Sequence, residues 1–335
     1  MTTLSALRWW SRMGSLVAVA VAAAVVGLLT GAESFGLGEA LRGEEPARFV
    51  LFELRLPRVA AALVVGGALA ACGAAFQALM RNALASPYIL GVSGGGSLGA
   101  VAAILLGIDV LGPVSTRPVF AFAGCLAALA VIWVIGRRGG RMVPQTLLLA
   151  GVVANAFFLA ILGFLNYMAS PHEAREILRW QMGGLYAVRA PELVAGTAIA
   201  LVSIVWLSRL GRALNVMSLG EEPAAHLGID GAAVRRRVLV LASLLTGAAV
   251  AIAGPIGFVG LFVPHAVRFV MGPDHRLVLP ASFVAGGAFL VLADALARVL
   301  GGPSEIPVGL LTAAVGAPTF VLLLVKVRAR GGGLS

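Results

Sequence analysis

Residues 238–267 read VLVLASLLTGAAVAIAGPIGFVGLFVPHAV, thirty consecutive positions without an aspartate, glutamate, lysine or arginine. About 20 such residues in a helix cross a hydrocarbon core about 30 Å thick. The tetrapeptide Gly254-Pro255-Ile256-Gly257 interrupts the run. Proline withholds a backbone donor, so one continuous helix would lose hydrogen bonds that lipid cannot replace. The run is therefore expected to be a full span followed by a short helix near 259–269. Outward in both directions, eight further runs lack those four side chains: 13–32, 59–80, 82–108, 118–136, 142–171, 193–208, 277–293 and 306–325. Together they predict an all-α, polytopic membrane protein with about ten transmembrane helices in one domain, 1–335.

Composition agrees. The chain is 60% hydrophobic and 12% charged, about half the usual charged fraction, and a water-soluble fold could not hide that much apolar surface. The formal charge of +10 would suggest nucleic acid in a soluble protein, but here the cations lie between apolar runs and act as topology signals. With an even span count and the N-terminus inside, 16 of the 25 basic residues fall on the inner side and 11 of the 15 acidic residues on the outer. The positive-inside rule then predicts both termini cytoplasmic. The first run follows Arg8 and Arg12 and contains Ala-Val-Ala; at 20 residues it exceeds a usual signal-peptide core, so a retained span is expected. The longest polar stretches run from Glu33 to Arg58 outside and from Arg209 to Arg237 inside.

Several chemistries are missing. A phosphate-binding P-loop needs glycines followed by Lys and Ser or Thr, whereas the one lysine, Lys326, follows Leu-Leu-Leu-Val. An ion-coupled secondary transporter, the alternative function, is expected to hold ionisable groups at mid-membrane; the runs contain only His172 and His265 at their ends. Cys72 and Cys125 stand alone in apolar runs and suggest packing, with no disulfide or metal site. His226 and His275 fall in polar inner loops, where a solvated position is expected, and His265 is expected to pack. The paired carboxylates Glu44-Glu45 and Glu221-Glu222 have no nucleophile beside them, so an enzyme is not indicated.

Four segments carry a resemblance. They are LRLPRVAAALVVGGALAACGAAFQALMRNALASPYILGVSGGG (54–96), MSLGEEPAAHLGI (217–229), GPIGFVGLFVPHAVR (254–268) and LADALARVLGGPSEIPVGLLTAAVGAP (292–318). In this order and wording the chain resembles the FecCD family of ABC importer permeases, which handle iron siderophores, haem and cobalamin. RNALASPY departs from the family's more usual RNPLADPY at Ala83 and Ser86.

The resemblance implies a type II importer architecture and a homodimer. It also implies two cytoplasmic ATPase subunits that bind ATP and magnesium, one extracytoplasmic binding protein, and no cofactor in this chain. The 209–237 loop would engage the ATPase through Leu219, Gly220, Glu221, Glu222, Ala224, Ala225, Leu227 and Gly228, with Ala224, Ala225 and Leu227 as an apolar knob. Arg55 and Arg58, facing outward from the Leu56-Pro57 corner, and Arg298, before the last helix, would dock the binding protein; the alternatives are helix-end snorkelling and, for Arg298, local pairing with Asp294. The path would be lined along the dimer axis by the helix 145–166 and its neighbours, with Asn155, Asn166 and Tyr167 as polar candidates and Asn82 and Ser86 near a gate; each asparagine would serve equally as an interhelical hydrogen bond.

Overall fold

Each of the nine apolar runs contains a helix. The computed structural model describes residues 6–31, 37–108, 110–111, 114–138, 141–142, 144–186, 188–302 and 305–329. Ala32, Glu33, Asp109 and Arg330, which entered the span and charge assignments, lie outside the described residues. In chain order, α1 (Ala6–Leu29) and the short α2 (Leu37–Arg42) lead to α3 (Ala47–Phe49), a π-helical turn (Val50–Arg55) and α4 (Leu56–Met80), the last three forming one unbroken helix. A turn separates α4 from α5 (Val92–Leu105), and a ladder of β1 (Val110–Leu111) with β2 (Val114–Ser115) precedes α6 (Thr116–Gly136). A second ladder, β3 (Arg137–Arg138) with β4 (Arg141–Met142), turns the chain into α7 (Pro144–Met168), α8 (Pro171–Gln181) and α9 (Ala190–Arg209). Short α10 (Gly211–Ser218) and α11 (Glu221–His226) then precede α12 (Gly231–Ala253), α13 (Val259–Met271), α14 (His275–Gly301) and α15 (Val308–Ala329).

Among the described residues, seven helices are long and apolar enough to cross a membrane, and α5, α13 and Val308–Val321 of α15 are shorter apolar helices. α5 is short because the first ten residues of its run, 82–91, form the polar turn instead. Arg81 adopts left-handed angles (φ 48°, ψ 40°) and ends α4, and Asn82 Oδ1 accepts from the Leu84 amide at 2.9 Å. The break in the 238–267 run falls where proline placed it: α12 stops at Ala253 and α13 begins at Val259. The irregular backbone there is enclosed by protein, and the Ala253 carbonyl accepts from the Gly184 amide at 2.8 Å.

Small residues set the packing. α4 lies on α14 and α5 on α6, the two most extensive helix pairs. A Cβ at Gly66 would overlap the carbonyl of Gly286, and one at Gly124 would overlap that of Gly95. Without a hydrophobic force between helices in lipid, such close backbone approach supplies the dispersion contact. α1 packs along α14, so it is part of the bundle.

Contacts between helix ends sort the cations into two poles. At one pole Arg12 Nη1 donates to the Val270 carbonyl (2.9 Å), Arg81 Nη2 to that of Met217 (2.5 Å), and Arg235 pairs with Glu221 (2.7 Å). At the other pole Arg58 meets Asp294, Arg117 meets Glu176 (2.8 Å), and Arg189 Nη1 donates to Ser115 Oγ (3.2 Å). These six arginines divide between the poles as the sequence divides them between its two expected sides.

Candidate functional site

At the pole that holds Arg117 and Arg189, Leu51, Arg55, Arg58 and Ala62 fall on one helical stripe and are all buried, while Leu54 and Leu56 face away. This corrects the expectation that Arg55 and Arg58 project outward. Pro57 does not make a corner; it lies in the first turn of α4, where its missing donor is tolerated, and the preceding turn widens to a π-helix. The helix therefore continues, and both guanidinium groups turn inward. Arg55 Nη1 donates to the carbonyls of Leu28 and Leu29 (2.9 and 3.0 Å) at the end of α1. Arg58 Nε donates to both oxygens of Asp294 (3.0 Å each), and its Nη1 to both oxygens of Glu305 (3.0 and 2.9 Å).

Arg298 is likewise buried. It donates to the carbonyls of Gly27 (2.7 Å) and Thr30 (2.6 Å). Its Nε lies 3.1 Å from Asp294 Oδ2, the local pair at four-residue spacing, without the alignment of a hydrogen bond. Asp294 is 1% exposed and serves two arginines, so its charge is compensated in a medium where an isolated carboxylate would not ionise. Three arginines and two carboxylates thus fasten one end each of α1, α4 and α14 to the segment before α15.

At the pole that holds Arg12 and Arg81, the 209–237 loop is built on α10 and α11. Gly220 (φ 140°) and Gly228 (φ 74°) bracket α11 with backbone angles that side chains rarely adopt. Leu219, Glu222, Ala225 and Leu227 are exposed. Ala224 is not part of that apolar knob, as expected from the sequence, but is buried beneath α11. It pins the loop to the bundle. Glu221 neither caps α11 with a side-chain hydrogen bond nor stands free: it pairs with Arg235 of α12. A cavity of about 150 Å³ lies under the loop, bounded by Arg81, Gly220, Glu221, Ala224, Ala225 and Arg235.

A second attachment was not anticipated. Asn215 of α10 uses both ends of its amide: Nδ2 donates to Asp274 Oδ1 (2.6 Å), and Oδ1 accepts from the His275 amide (2.8 Å) and lies 2.7 Å from His275 Nδ1. Asp274 also caps α14 by accepting from the Arg276 amide (3.0 Å). Burial opposes ionisation of Asp274, but hydrogen bonds from Arg276 and Asn215 outweigh it and hold its carboxyl down at about 2. His275 is buried at this junction, where a solvated position was expected, because α14 starts at it and α10 covers it. The cue in the sequence is Asp274 directly before the apolar run 277–293, a helix-start signal.

The remaining polar candidates do not converge in one protomer. Tyr167 is 85% exposed beside Phe164 and Met168, on a face of α7 that no described helix covers. Asn155 packs its Oδ1 against Gly94 of α5, and Asn166 Oδ1 is buried without a partner. Asn82 and Ser86 both accept hydrogen bonds inside their own turn, Ser86 Oγ from the Ile89 amide at 3.3 Å. His265 is half-buried with its ring edge-on to Phe320. No group of three His, Cys, Asp or Glu that would hold a metal occurs among the described residues. The segment Trp180–Gly184 joins the end of α8 to the chain leading into α9. Gly183 accepts from the Gly309 amide (3.2 Å) and Gly184 donates to Ala253, so this segment ties the end of α12 to the start of α15.

A bundle of apolar helices, glued by glycines, with an anchored loop at one pole and an ionic clasp at the other, defines a multi-pass α-helical membrane transport protein. The chain belongs to the FecCD transport family, whose model matches residues 7–326. It is 44% identical over 280 residues to the cobalamin import system permease protein BtuC of Halobacterium salinarum, covering 84% of this chain and 74% of that one. It is 38% identical over 292 residues to the hemin transport system permease protein HmuU of Yersinia pestis, covering 85% of each. Among solved structures it is similar to an inward-facing metal-chelate type ABC transporter, with a TM-score of 0.84, 30% identity, and coverage of 95% of this chain and 99% of that one.

Proposed function

We propose that two copies of this chain form the translocation path of an ATP-driven importer for a bulky iron chelate, haem or a corrinoid. Each copy contributes ten spans: the seven long helices and the three shorter apolar ones. Both termini face the cytoplasm. Two ATPase subunits, holding ATP and magnesium, engage the 209–237 loop, and one extracytoplasmic binding protein delivers the cargo; the permease itself needs no cofactor. The observation that carries this reading is the construction of the loop. Leu219, Glu222, Ala225 and Leu227 are presented outward, while Ala224, Glu221 and Asn215 fix the same loop to α12 and α14. A force applied to such a loop reaches the bundle.

Of the two buried acids among the described residues, Asp294 is held between Arg58 and Arg298 at the pole, and Glu192 accepts from the Ser115 amide at the start of α9, which favours structural roles over a relay. Gating residues Asn82 and Ser86 would act through the shape of their turn, and Asn155, Asn166 and Tyr167 through the face of α7 shared between protomers. The deciding experiment reconstitutes the permease in liposomes with its ATPase and binding protein and offers cobalamin, haem and a ferric siderophore in turn. Uptake of one of them is expected only with ATP inside the ATPase compartment. Uptake driven by a proton or sodium gradient without the ATPase would defeat the reading.

A further inference from the structure

The cavity of about 150 Å³ beneath α11 is walled by the ends of α4, α10, α11 and α12, and its charged lining is unbalanced. Two guanidinium groups, Arg81 and Arg235, face one carboxylate, Glu221. Arg81, at the end of α4, donates from Nη2 to the Met217 carbonyl (2.5 Å). That bond fixes its fork at the cavity wall while other donors of the five stay available. The neighbouring acid, Asp230, caps α12 by accepting from the Ala232 and Ala233 amides (3.0 Å each) and does not line the cavity.

Arg235 points further. It is 8% exposed. Its Nη1 pairs with Glu221 Oε1 (2.7 Å), but its Nε is buried and has no hydrogen-bond partner among the described residues. The guanidinium folds back toward the start of its own helix, so that a Cβ at Gly231 would stand 3.6 Å from Nη2. It therefore adds to the positive end of the α12 dipole. A buried donor without an acceptor is costly, and folded proteins seldom leave one in that state. Glu221 cannot compensate both cations.

We propose that this cavity is a binding site for a tetrahedral oxoanion of the phosphate class. A water would satisfy Arg235 Nε but leave the excess positive charge in place, and the cavity far exceeds the roughly 15 Å³ that admits one water. Guanidinium forks match pairs of phosphate oxygens. Arg235 donates from Nε on one side and Arg81 from its uncommitted nitrogens on the other, while Gly220 and Gly231 leave bare backbone at the wall. Glu221 is the competitor: it holds Arg235 Nη1 and repels the guest. A bound oxoanion joins α4 to α12 beneath α11 and braces the loop from below. The site goes beyond the importer reading and does not rest on it. Free phosphate and a phospholipid headgroup share this chemistry.

The test titrates inorganic phosphate into the purified permease in a neutral, phosphate-free detergent and reads the heat of binding against chloride at matched ionic strength. The wild type should bind phosphate saturably. Arg81→Gln and Arg235→Gln should each weaken binding about tenfold, the loss of one charge-assisted hydrogen bond. Glu221→Gln should tighten it several-fold, because it removes a repelling charge and frees Arg235 Nη1; an ion pair that only holds the loop gives no such gain. The melting temperature in chloride checks that each variant is folded. Glu221 has a side chain 62% exposed, so its variant keeps the test decisive if an arginine variant does not fold. Equal binding in phosphatidylcholine and phosphatidylglycerol nanodiscs would support the site with free phosphate as its ligand, and binding blocked only by phosphatidylglycerol would support it with an anionic headgroup. Phosphate heats that match those of chloride would mean a cavity filled by water only and would overturn the proposal. Saturable binding that all three substitutions leave unchanged would overturn it too. Neither result touches the importer reading, since no ATPase or binding protein is present.

Discussion

A guanidinium gripping two carboxylates, as Arg58 does, is worth little unless it is dry, and here the dry half is Asp294. Breaking a buried pair by removing one partner strands the other charge and costs about 3 to 5 kcal/mol, whereas an exposed pair contributes about 0 to 1 kcal/mol. Asp294→Ala, which leaves Arg298 without a carboxylate and Arg58 with Glu305 alone, should therefore lower thermal stability of the detergent-solubilised permease by several kcal/mol. Glu305→Ala, whose side chain is 37% exposed, should cost about 1 kcal/mol or less. Equal losses in the two variants would show that burial does not set the energetics of this cluster. The half of the cluster within one helix was legible, since Asp294 and Arg298 are four residues apart. The half that reaches across 236 residues to Arg58 was not. Yet its direction was readable in principle: Leu51, Arg55, Arg58 and Ala62 repeat at helical spacing on the stripe that holds alanines further along. Reading Leu56-Pro57 as a corner hid that period.

Elements meet through two kinds of contact, glycine packing in the apolar layer and polar junctions at the poles. Gly66→Val places side-chain atoms where the Gly286 carbonyl lies, so α4 and α14 must separate. Loss of folded protein in size-exclusion chromatography is the expected outcome, while Gly163→Val, with nothing within 4 Å, should leave yield unchanged. The glycine-rich wording of 54–96 announced close approach but could not name the partner, because a small-residue face fits any similar face. The α10–α14 junction is polar and so depends on pH. The Asp274 carboxyl is lowered in the folded state to about 2 from 3.8, so its contribution is present above about pH 4 and is lost as pH falls through about 2. The group is partly exposed, and screening leaves about 1 kcal/mol of that linkage. Asp274→Asn should flatten the acid limb of a stability–pH curve between pH 4 and 2; an unchanged limb would mean that the carboxylate is not linked to folding. The junction escaped the sequence because Asn215 and His275 look solvated until α10 folds back onto α14.

At the scale of the molecule, the cations sort to two poles as the charge census required, and the sidedness of those poles is what reporter fusions would read. Fusions after Arg141 and Arg212 should report cytoplasmic, and fusions after Glu45 and Arg175 external. The same side for Arg212 and Arg175 would break the ten-span count. At one of those poles, the loop of α10 and α11 is the surface that we propose an outside machine grips. Its weak points are backbone, not side chain. Gly228 has φ 74° and open space where a Cβ would stand, whereas a Cβ at Gly220 would lie 3.0 Å from Pro223. Gly228→Val therefore isolates conformational strain, about 1 to 3 kcal/mol, without a clash, and the permease should still fold and assemble. The strain relaxes if the loop leaves its native path, carrying Leu227 and Ala225 out of register with the ATPase. ATP hydrolysis by the assembled complex should then continue while cargo uptake per ATP drops several-fold. Gly228→Ala should fall between, since the smaller side chain is less strained in left-handed angles. Unchanged uptake per ATP in the valine variant would mean that the path of this loop does not carry the coupling, and that the ATPase drives the bundle from another surface of the inner pole.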